Sequence, residues 1–168
     1  MGLSAIMGAR LFSPLDIVAI DRAGSRLLAA KGAGADVTTS ASAADAIALV
    51  QDLTDGLGAD VAIEAVGLPE TFELCTAIVR PGGRVANVGV HGAPATLHLE
   101  DLWIRNVTIT TGLVDTYSMP TLIRLVKGGQ LDMAPLITHR FPLDDLLQAY
   151  EVFADAGHSG ALKVVLTR

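Results

Sequence analysis

Two kinds of hydrophobic pattern alternate along the chain. Short, continuous apolar runs such as IVAID at residues 17–21 are typical of strands buried on both faces, and apolar residues at helical spacing follow most of them. The runs predict strands at residues 17–21, 36–39, 61–64, 84–88, 107–111, 137–141 and 161–167. The spaced patterns predict helices at residues 1–12, 25–34, 42–54, 69–79, 119–127 and 144–154. This alternation predicts an α/β fold with a parallel sheet and right-handed crossovers.

The first predicted helix begins at the first residue of the chain. Leu3, Ile6 and Met7 of MGLSAIMGARLF share one helical face, and no strand precedes them. The run at residues 17–21 looks like the second strand of a Rossmann unit, whose strand order 3-2-1-4-5-6 puts strand 1 at the centre. We therefore expect a Rossmann-like, doubly wound parallel sheet that lacks its first, central strand.

A missing central strand has an energetic consequence for its two neighbours. The strands at residues 17–21 and 61–64 would each present an unpaired edge, and each orphaned buried N–H or C=O group costs about 1–3 kcal/mol. Net folding stability is typically only about 5–15 kcal/mol. We therefore expect the isolated chain to be marginally stable unless the strands close up or another chain supplies one.

An acid, Asp21, ends the predicted strand at residues 17–21. A carboxylate at this place can accept hydrogen bonds from ribose hydroxyls and would repel a 2′-phosphate, which favours NAD over NADP. Gly2 lies 19 residues before Asp21 and so fits the last glycine of a G-x-G-x-x-G fingerprint, which precedes such an acid by about 20 residues. Two alternatives stay open: Asp21 caps the next turn, and Arg22 or Arg26 tolerates a phosphate.

Two glycines follow buried strands at one edge of the predicted sheet, Gly67 after residues 61–64 and Gly89 after residues 84–88. Ligands of parallel α/β sheets bind beyond the carboxyl ends of the strands, and glycine there lets the chain pass close to a flat ligand. Either glycine alone is better explained by a tight turn. Two at equivalent strand ends favour a ligand site.

Composition narrows the class of protein. The 168 residues carry a net charge of −6 with scattered arginines, so nothing indicates a nucleic-acid partner. No apolar run approaches the length of a membrane helix, and we expect no signal peptide. The single cysteine, Cys75, excludes an intrachain disulfide. These features favour a single domain over residues 1–168 in the reducing cytoplasm.

The remaining reactive side chains form no recognisable catalytic or metal-binding pattern. The four histidines lack metal-ligand spacing, and H-E-x-x-H, C-x-x-C and G-x-S-x-G do not occur. We therefore predict no catalytic residue and no metal ligand. Each histidine is expected to be hydrogen-bonded or at the surface, and Cys75 to be a small core residue rather than a nucleophile.

A set of segments covers nearly the whole chain: VAIDRAGSRLLAAKGAGAD, LTDGLGADVAIEAVG, RPGGRVANVGVHG, LWIRNVTITTG, LITHRFPLDDLLQAYEVF and GALKVVL. In this order they closely resemble the C-terminal, nucleotide-binding part of the medium-chain, zinc-dependent alcohol dehydrogenases. No single motif is decisive, but the ordered set is specific. The resemblance implies that residues 135–168 include segments that return toward the family's catalytic domain.

The resemblance also implies a set of cofactor-binding residues. They are Gly2, Asp21, Arg26, Val66, Gly67, Val88, Gly89, Val90 and Lys163. Gly2 matches the last glycine of the phosphate-binding fingerprint, Asp21 the ribose-binding acid, and Arg26 a basic residue beside that ribose. Residues 66–67 match the turn along the cofactor, and residues 88–90 the segment that lines the nicotinamide pocket. Lys163 matches a basic residue that reaches the pyrophosphate.

The edge strand VTITT, from Val107 to Thr111, resembles the strand through which family members pair two subunits, so a homo-oligomer is implied. The family's zinc is held by Cys, His and Glu residues of an N-terminal catalytic domain, which the sequence lacks. Its four-cysteine structural zinc site is excluded by the single cysteine. We therefore expect the cofactor-binding part of an NAD(P)-dependent, zinc-type alcohol dehydrogenase, inactive as it stands. The alternative is a non-catalytic remnant that binds nucleotide weakly or serves as an oligomerisation module.

Overall fold

A computed structural model describes residues 1–40, 42–112 and 115–168. The chain divides into two compact units, Met1–Val114 and Asp115–Arg168. The prediction that residues 1–168 form one domain stays a prediction. Within the described residues, no helix is long and apolar enough to cross a membrane.

The first unit alternates helices and strands as the hydrophobic pattern predicts. Its elements are α1 (Gly2–Arg10), β1 (Val18–Ile20), α2 (Gly24–Gly32), β2 (Val37–Thr39), α3 (Ala43–Leu53), β3 (Ala59–Glu64), α4 (Pro69–Ile78), β4 (Val79–Asn87), α5 (Leu99–Leu102) and β5 (Thr108–Thr111). The second unit contains α6 (Met119–Lys127), a 3₁₀ turn (Ala134–Leu136), β6 (Ile137–Pro142), a 3₁₀ turn (Leu143–Asp145), α7 (Leu146–Ala154), α8 (Ala156–Ser159) and β7 (Lys163–Thr167).

All strand pairs in the described residues are parallel, which confirms the α/β class with parallel sheets. Strand β1 pairs with β2, β3 pairs with β4 and β4 with β5, and in the second unit β6 pairs with β7. Across the part of the chain that the structure describes, no strand joins β1 to β3. One side of β1 and one side of β3 therefore remain open, in the place where the expected strand order puts strand 1.

Strand β4 begins earlier than its sequence predicts. A turn is expected at residues 81–83 with the strand starting at Arg84, but Val79 already pairs with Ala59 of β3. The next pair joins Val61 to Arg84, so β4 has extra residues between the two pairs and forms a bulge there. The predicted start of the strand at Arg84 is therefore wrong, because Val79 already pairs with β3, although residues 80–83 bulge out of the pairing.

The predicted cap of α2 is also wrong. Ser25 is expected at the N-cap, but the helix begins at Gly24 after Ala23. The Ala23 N–H donates to Asp21 Oδ1 at 2.8 Å, so the strand-end acid satisfies the backbone before the helix. In α3 the N-cap is Ser42, whose Oγ accepts the Asp45 N–H at 3.3 Å.

The main core of the first unit lies between α4 and the β3–β4 pair. Its buried members are Ala62, Phe72, Cys75, Val79 and Val85. This confirms Cys75 as a core residue. Burial, together with the nearby charge of Glu64, raises the pKa of the Cys75 thiol to about 12, so the sulfur stays protonated at neutral pH.

An ion pair connects α1 with the turn before β2. Arg10 donates from Nε to the Gly34 carbonyl oxygen at 2.7 Å and from Nη2 to Asp36 Oδ1 at 2.5 Å, and the Ile17 N–H donates to Asp36 Oδ2 at 2.8 Å. The Arg10 guanidinium, followed by the Ile17 N–H, holds the pKa of Asp36 below its usual range.

Replacing Asp36 by asparagine should make the chain less sensitive to acid. A carboxyl group with a lowered folded-state pKa contributes stability above its unfolded pKa of about 3.9 and loses it as the pH falls through the folded value. The wild-type melting temperature should therefore drop between about pH 7 and about pH 3 by more than that of Asp36→Asn. Thermal unfolding at both pH values tests this, with the exposed Asp16→Asn as control; equal drops in all three chains would contradict it.

Candidate functional site

Two backbone segments meet at the carboxyl ends of β3 and β4, and we call them, residues 66–67 and 88–90, the glycine crossing. Gly67 has φ of +91°, and a Cβ built on it would overlap the carbonyl oxygen of Val90. A Cβ on Gly89 would overlap Glu64 Oε2 and the nitrogen of Gly67. Both positions require glycine because the segments approach each other this closely. The structure thus brings residues 66–67 and 88–90 together and gives their glycines a packing role.

The last residue of β3, Glu64, fastens both segments. Its side chain is among the largest fully buried ones, with 1% of the residue exposed. Its Oε1 accepts hydrogen bonds at 2.8 Å from the Val66 N–H and the Gly67 N–H. Its main-chain oxygen accepts the N–H groups of Val88 at 2.8 Å and of Gly89 at 3.1 Å. One residue therefore holds the two halves of the glycine crossing.

The surroundings of Glu64 decide its charge state. Burial raises the pKa of this carboxyl group, but hydrogen bonds from the Gly67 N–H, the Thr71 hydroxyl at 2.8 Å and the Val66 N–H, with the nearby His91, lower it by more. Its pKa therefore lies below the usual glutamate range, and the group is ionised at neutral pH. The single Thr71 hydroxyl proton is shared with the Leu68 carbonyl oxygen, also at 2.8 Å.

His91, which Asn87 holds, lies beside the second carboxylate oxygen of Glu64. Asn87 Nδ2 donates to the Gly89 carbonyl oxygen at 3.3 Å, so its Oδ1 faces His91 Nε2 at 2.9 Å as an acceptor. This arrangement assigns the ring proton to Nε2. Glu64 Oε2 lies 3.5 Å from His91 Nε2, and within the described residues neither Glu64 Oε2 nor His91 Nδ1 has a hydrogen-bond partner. The His91 ring also lies nearly perpendicular to the Phe72 ring, with the ring centroids 6.2 Å apart.

The rim of the glycine crossing is apolar and open. Val66, Val88 and Val90 expose 56%, 41% and 75% of their surface. Gly2, at the start of α1, lies beside this edge, because a Cβ on it would stand 3.9 Å from Ala65 Cβ. Exposed valines next to the N-terminus of a nine-residue helix offer an apolar surface and free N–H groups to one ligand.

The other site residues expected from the sequence belong to other elements than the crossing. Asp21 follows β1 and is exposed; one of its oxygens accepts the Ala23 N–H. Arg26 lies in the first turn of α2, which Asp21 precedes. Lys163 is the first residue of β7 in the second unit, where its main-chain oxygen accepts from Thr138 Oγ1 at 3.3 Å.

Sequence reasoning missed the polar residues beneath the crossing. Glu64 carries the one available signal, an acid that ends a buried apolar strand just before a turn. Thr71, Asn87 and His91 carry no such signal, because their meeting depends on how α4 and β4 pack around β3. The expectation that His91 is a hydrogen-bonded residue is confirmed.

The donor chemistry of the described residues does not fit zinc. Their one group of neighbouring candidate ligands is His98, Glu100 and Asp101, whose ligand atoms lie within 4.8 Å of one another. All three side chains are exposed on or beside α5, a single helical turn. His98 Nδ1 lies 2.8 Å from Glu100 Oε1, so this pair already satisfies itself. Cys75 is buried and remains a thiol, whereas zinc is bound by thiolate.

Comparison with known proteins yields consistent matches. The chain is 35% identical over 170 residues to an alcohol dehydrogenase of Cupriavidus necator, covering 99% of this chain and 46% of that protein. It is 30% identical to an erythritol/L-threitol dehydrogenase of Mycolicibacterium smegmatis, covering 98% and 46%. A solved zinc-dependent alcohol dehydrogenase 2 from Streptococcus pneumonia superposes with a TM-score of 0.93 at 42% identity, covering 98% and 48%.

In each of these matches the chain spans about half the length of the relative. A family model described as zinc-binding dehydrogenase matches residues 1–128. That range contains the glycine crossing, Asp21 and the whole β3–β4–β5 sheet. By this match and by the similarity of sequence and fold, the chain belongs to the zinc-binding dehydrogenase family.

Proposed function

We propose that this chain is the cofactor-binding part of an NAD-dependent, zinc-type alcohol dehydrogenase. The observation that carries the proposal is the glycine crossing, where glycine alone fits and an apolar rim faces outward at the carboxyl ends of parallel strands. Two relatives are an alcohol dehydrogenase and an erythritol/L-threitol dehydrogenase, which supports the reaction class. NADP is the less favoured cofactor, since Asp21 would repel its 2′-phosphate.

Each predicted residue has a role in this proposal. Gly2 and the N–H groups of α1 would face the pyrophosphate, as would Lys163. Asp21 and Arg26 would bind the adenosine ribose, and the glycine crossing would lie along the ribose and nicotinamide. The bound cofactor would supply hydride transfer between an alcohol and nicotinamide. The residues of this chain bind and orient it and exclude water from its apolar face.

The proposal assigns no catalytic residue and no zinc ligand to the chain. In zinc-type dehydrogenases the metal polarises the alcohol oxygen, and the donors described above do not fit that metal. We therefore expect no alcohol oxidation from the chain alone. The reducing cytoplasm is the proposed location, because the single cysteine, Cys75, forms no intrachain disulfide.

A homo-oligomer through β5 is part of the proposal. In the described residues β5 pairs only with β4, so its other edge is available to a strand of a second copy. The runner-up function is a non-catalytic remnant that binds nucleotide weakly or acts as an oligomerisation module, and such a module would use the same edge. The affinity for nucleotide separates these functions, because a remnant would bind weakly and an oligomerisation module need not bind at all.

Replacing Asp21 by asparagine should weaken NADH binding about tenfold, because a hydrogen bond to a charged group is worth about 1.5–3 kcal/mol. Asparagine keeps an oxygen for the Ala23 N–H, so the turn before α2 is preserved and only the charge is lost. The preference for NADH over NADPH should shrink at the same time. Fluorescence titration of the full chain with both nucleotides measures the two effects.

Asp16→Asn, an exposed acid on the loop before β1, is the matched control and should bind like the wild type. If the wild type and Asp21→Asn bound NADH with equal affinity, Asp21 would only cap the turn before α2 and would not bind the cofactor. A wild-type chain that binds neither nucleotide would refute the proposed function.

A further inference from the structure

The acceptor atoms of Glu64 face both halves of the glycine crossing. The side-chain Oε1 holds the turn that carries Gly67, and the main-chain oxygen holds the N–H groups of Val88 and Gly89. The two segments of the crossing are packed so closely that a methyl group on Gly67 or Gly89 would overlap the opposite segment or Glu64 itself. The position of this carboxylate therefore sets how the two backbone segments face the solvent.

A packing role alone does not explain a charge at this place. Burying a carboxylate is costly, and replacing buried charged groups by apolar residues of similar volume is often neutral or stabilising. Glu64 is 1% exposed and its charge acts on the nearby Cys75 of α4, and a methionine would have a similar volume. What methionine cannot do is accept the Val66 and Gly67 N–H groups.

We propose that Glu64 is a positioning residue for nucleotide binding, which acts through the backbone of the glycine crossing, while His91, held by Asn87, lies beside its second oxygen. The inference rests on the proposed function and deepens it, because it assigns part of the affinity to a side chain beneath the binding surface. Thr71 contributes as the third donor to Oε1.

The test compares Glu64→Met, which keeps the volume, with Glu64→Gln, which also keeps an acceptor oxygen. In the full chain, Glu64→Met should raise the NADH dissociation constant about tenfold or more and speed hydrogen exchange of the Gly67 amide to a similar extent. Glu64→Gln should bring both the NADH dissociation constant and the exchange rate of the Gly67 amide most of the way back to the wild-type values. Glu70→Met on the exposed side of α4 is the matched control and should change neither.

A Glu64→Met chain with wild-type affinity and wild-type exchange at Gly67 overturns the inference. Should that variant not fold, Thr71→Val removes one donor and keeps the shape; about threefold weaker binding is expected, and an unchanged affinity overturns the inference. If the wild-type chain does not bind NADH, the proposed function fails by itself. Exchange at Gly67 then still decides whether Glu64 positions the crossing.

Discussion

Replacing Gly67 by alanine is expected to abolish NADH binding and to lower the unfolding free energy by about 2–6 kcal/mol, the sum of backbone strain and overpacking. The φ angle of +91° disfavours any side chain, and a Cβ would overlap the Val90 carbonyl oxygen. Either the turn or the Val90 segment must move, and both belong to the glycine crossing. Titration with NADH and urea unfolding of the full chain measure the two losses.

The matched control is Gly92→Ala, two residues beyond Val90. A Cβ at Gly92 would meet nothing within 4 Å, so affinity and stability should stay at wild-type values. Gly89→Ala should behave like Gly67→Ala, since its Cβ would overlap Glu64 and the nitrogen of Gly67. Wild-type affinity in Gly67→Ala would show that the two segments do not pack as described.

Replacing Phe72 by alanine should destabilise the first unit by about 3–5 kcal/mol, the usual cost of removing a buried aromatic ring. Phe72 is 9% exposed, belongs to the core between α4 and the sheet, and meets His91 edge to face. Typical net stability is about 5–15 kcal/mol, so a large fraction of it would be lost. The midpoint of urea unfolding, followed by circular dichroism, reports the change.

Phe12→Ala is the control for this prediction, because Phe12 lies in the same unit and is 87% exposed. Its unfolding free energy should change by no more than about 0.5 kcal/mol. If Phe72→Ala and Phe12→Ala unfolded at the same urea concentration, α4 would not pack on β3 and β4 as the structure has it.

Local signals account for most of the correctly predicted elements. Helix α6 has the predicted bounds, Met119–Lys127, because a proline stands in its first turn and Gly128-Gly129 follow its end. The start of β4 could not be predicted in this way, since Val79 joins the strand only through its pairing with Ala59. The short helix α5 has too few residues to show a period.

Some residues of the candidate site could likewise be predicted from the sequence, and others could not. Gly67 and Gly89 could be found from the sequence, because parallel strands bring their carboxyl ends to one edge. The contacts of Glu64 with Thr71 and His91 could not, because they depend on the packing of α4 and on the path of the chain after β4. Sequence thus located the backbone of the site but not the carboxylate beneath it.

The buried thiol of Cys75 makes local opening of the first unit's core measurable. Cys75 is shielded from reagents by burial, and that burial with the charge of Glu64 raises its pKa to about 12. A thiol reagent can therefore modify it only during moments when α4 separates from the sheet, so the labelling rate counts these openings. Because α4 also carries Thr71, a donor to Glu64, the same rate reports how firmly the glycine crossing is held from below.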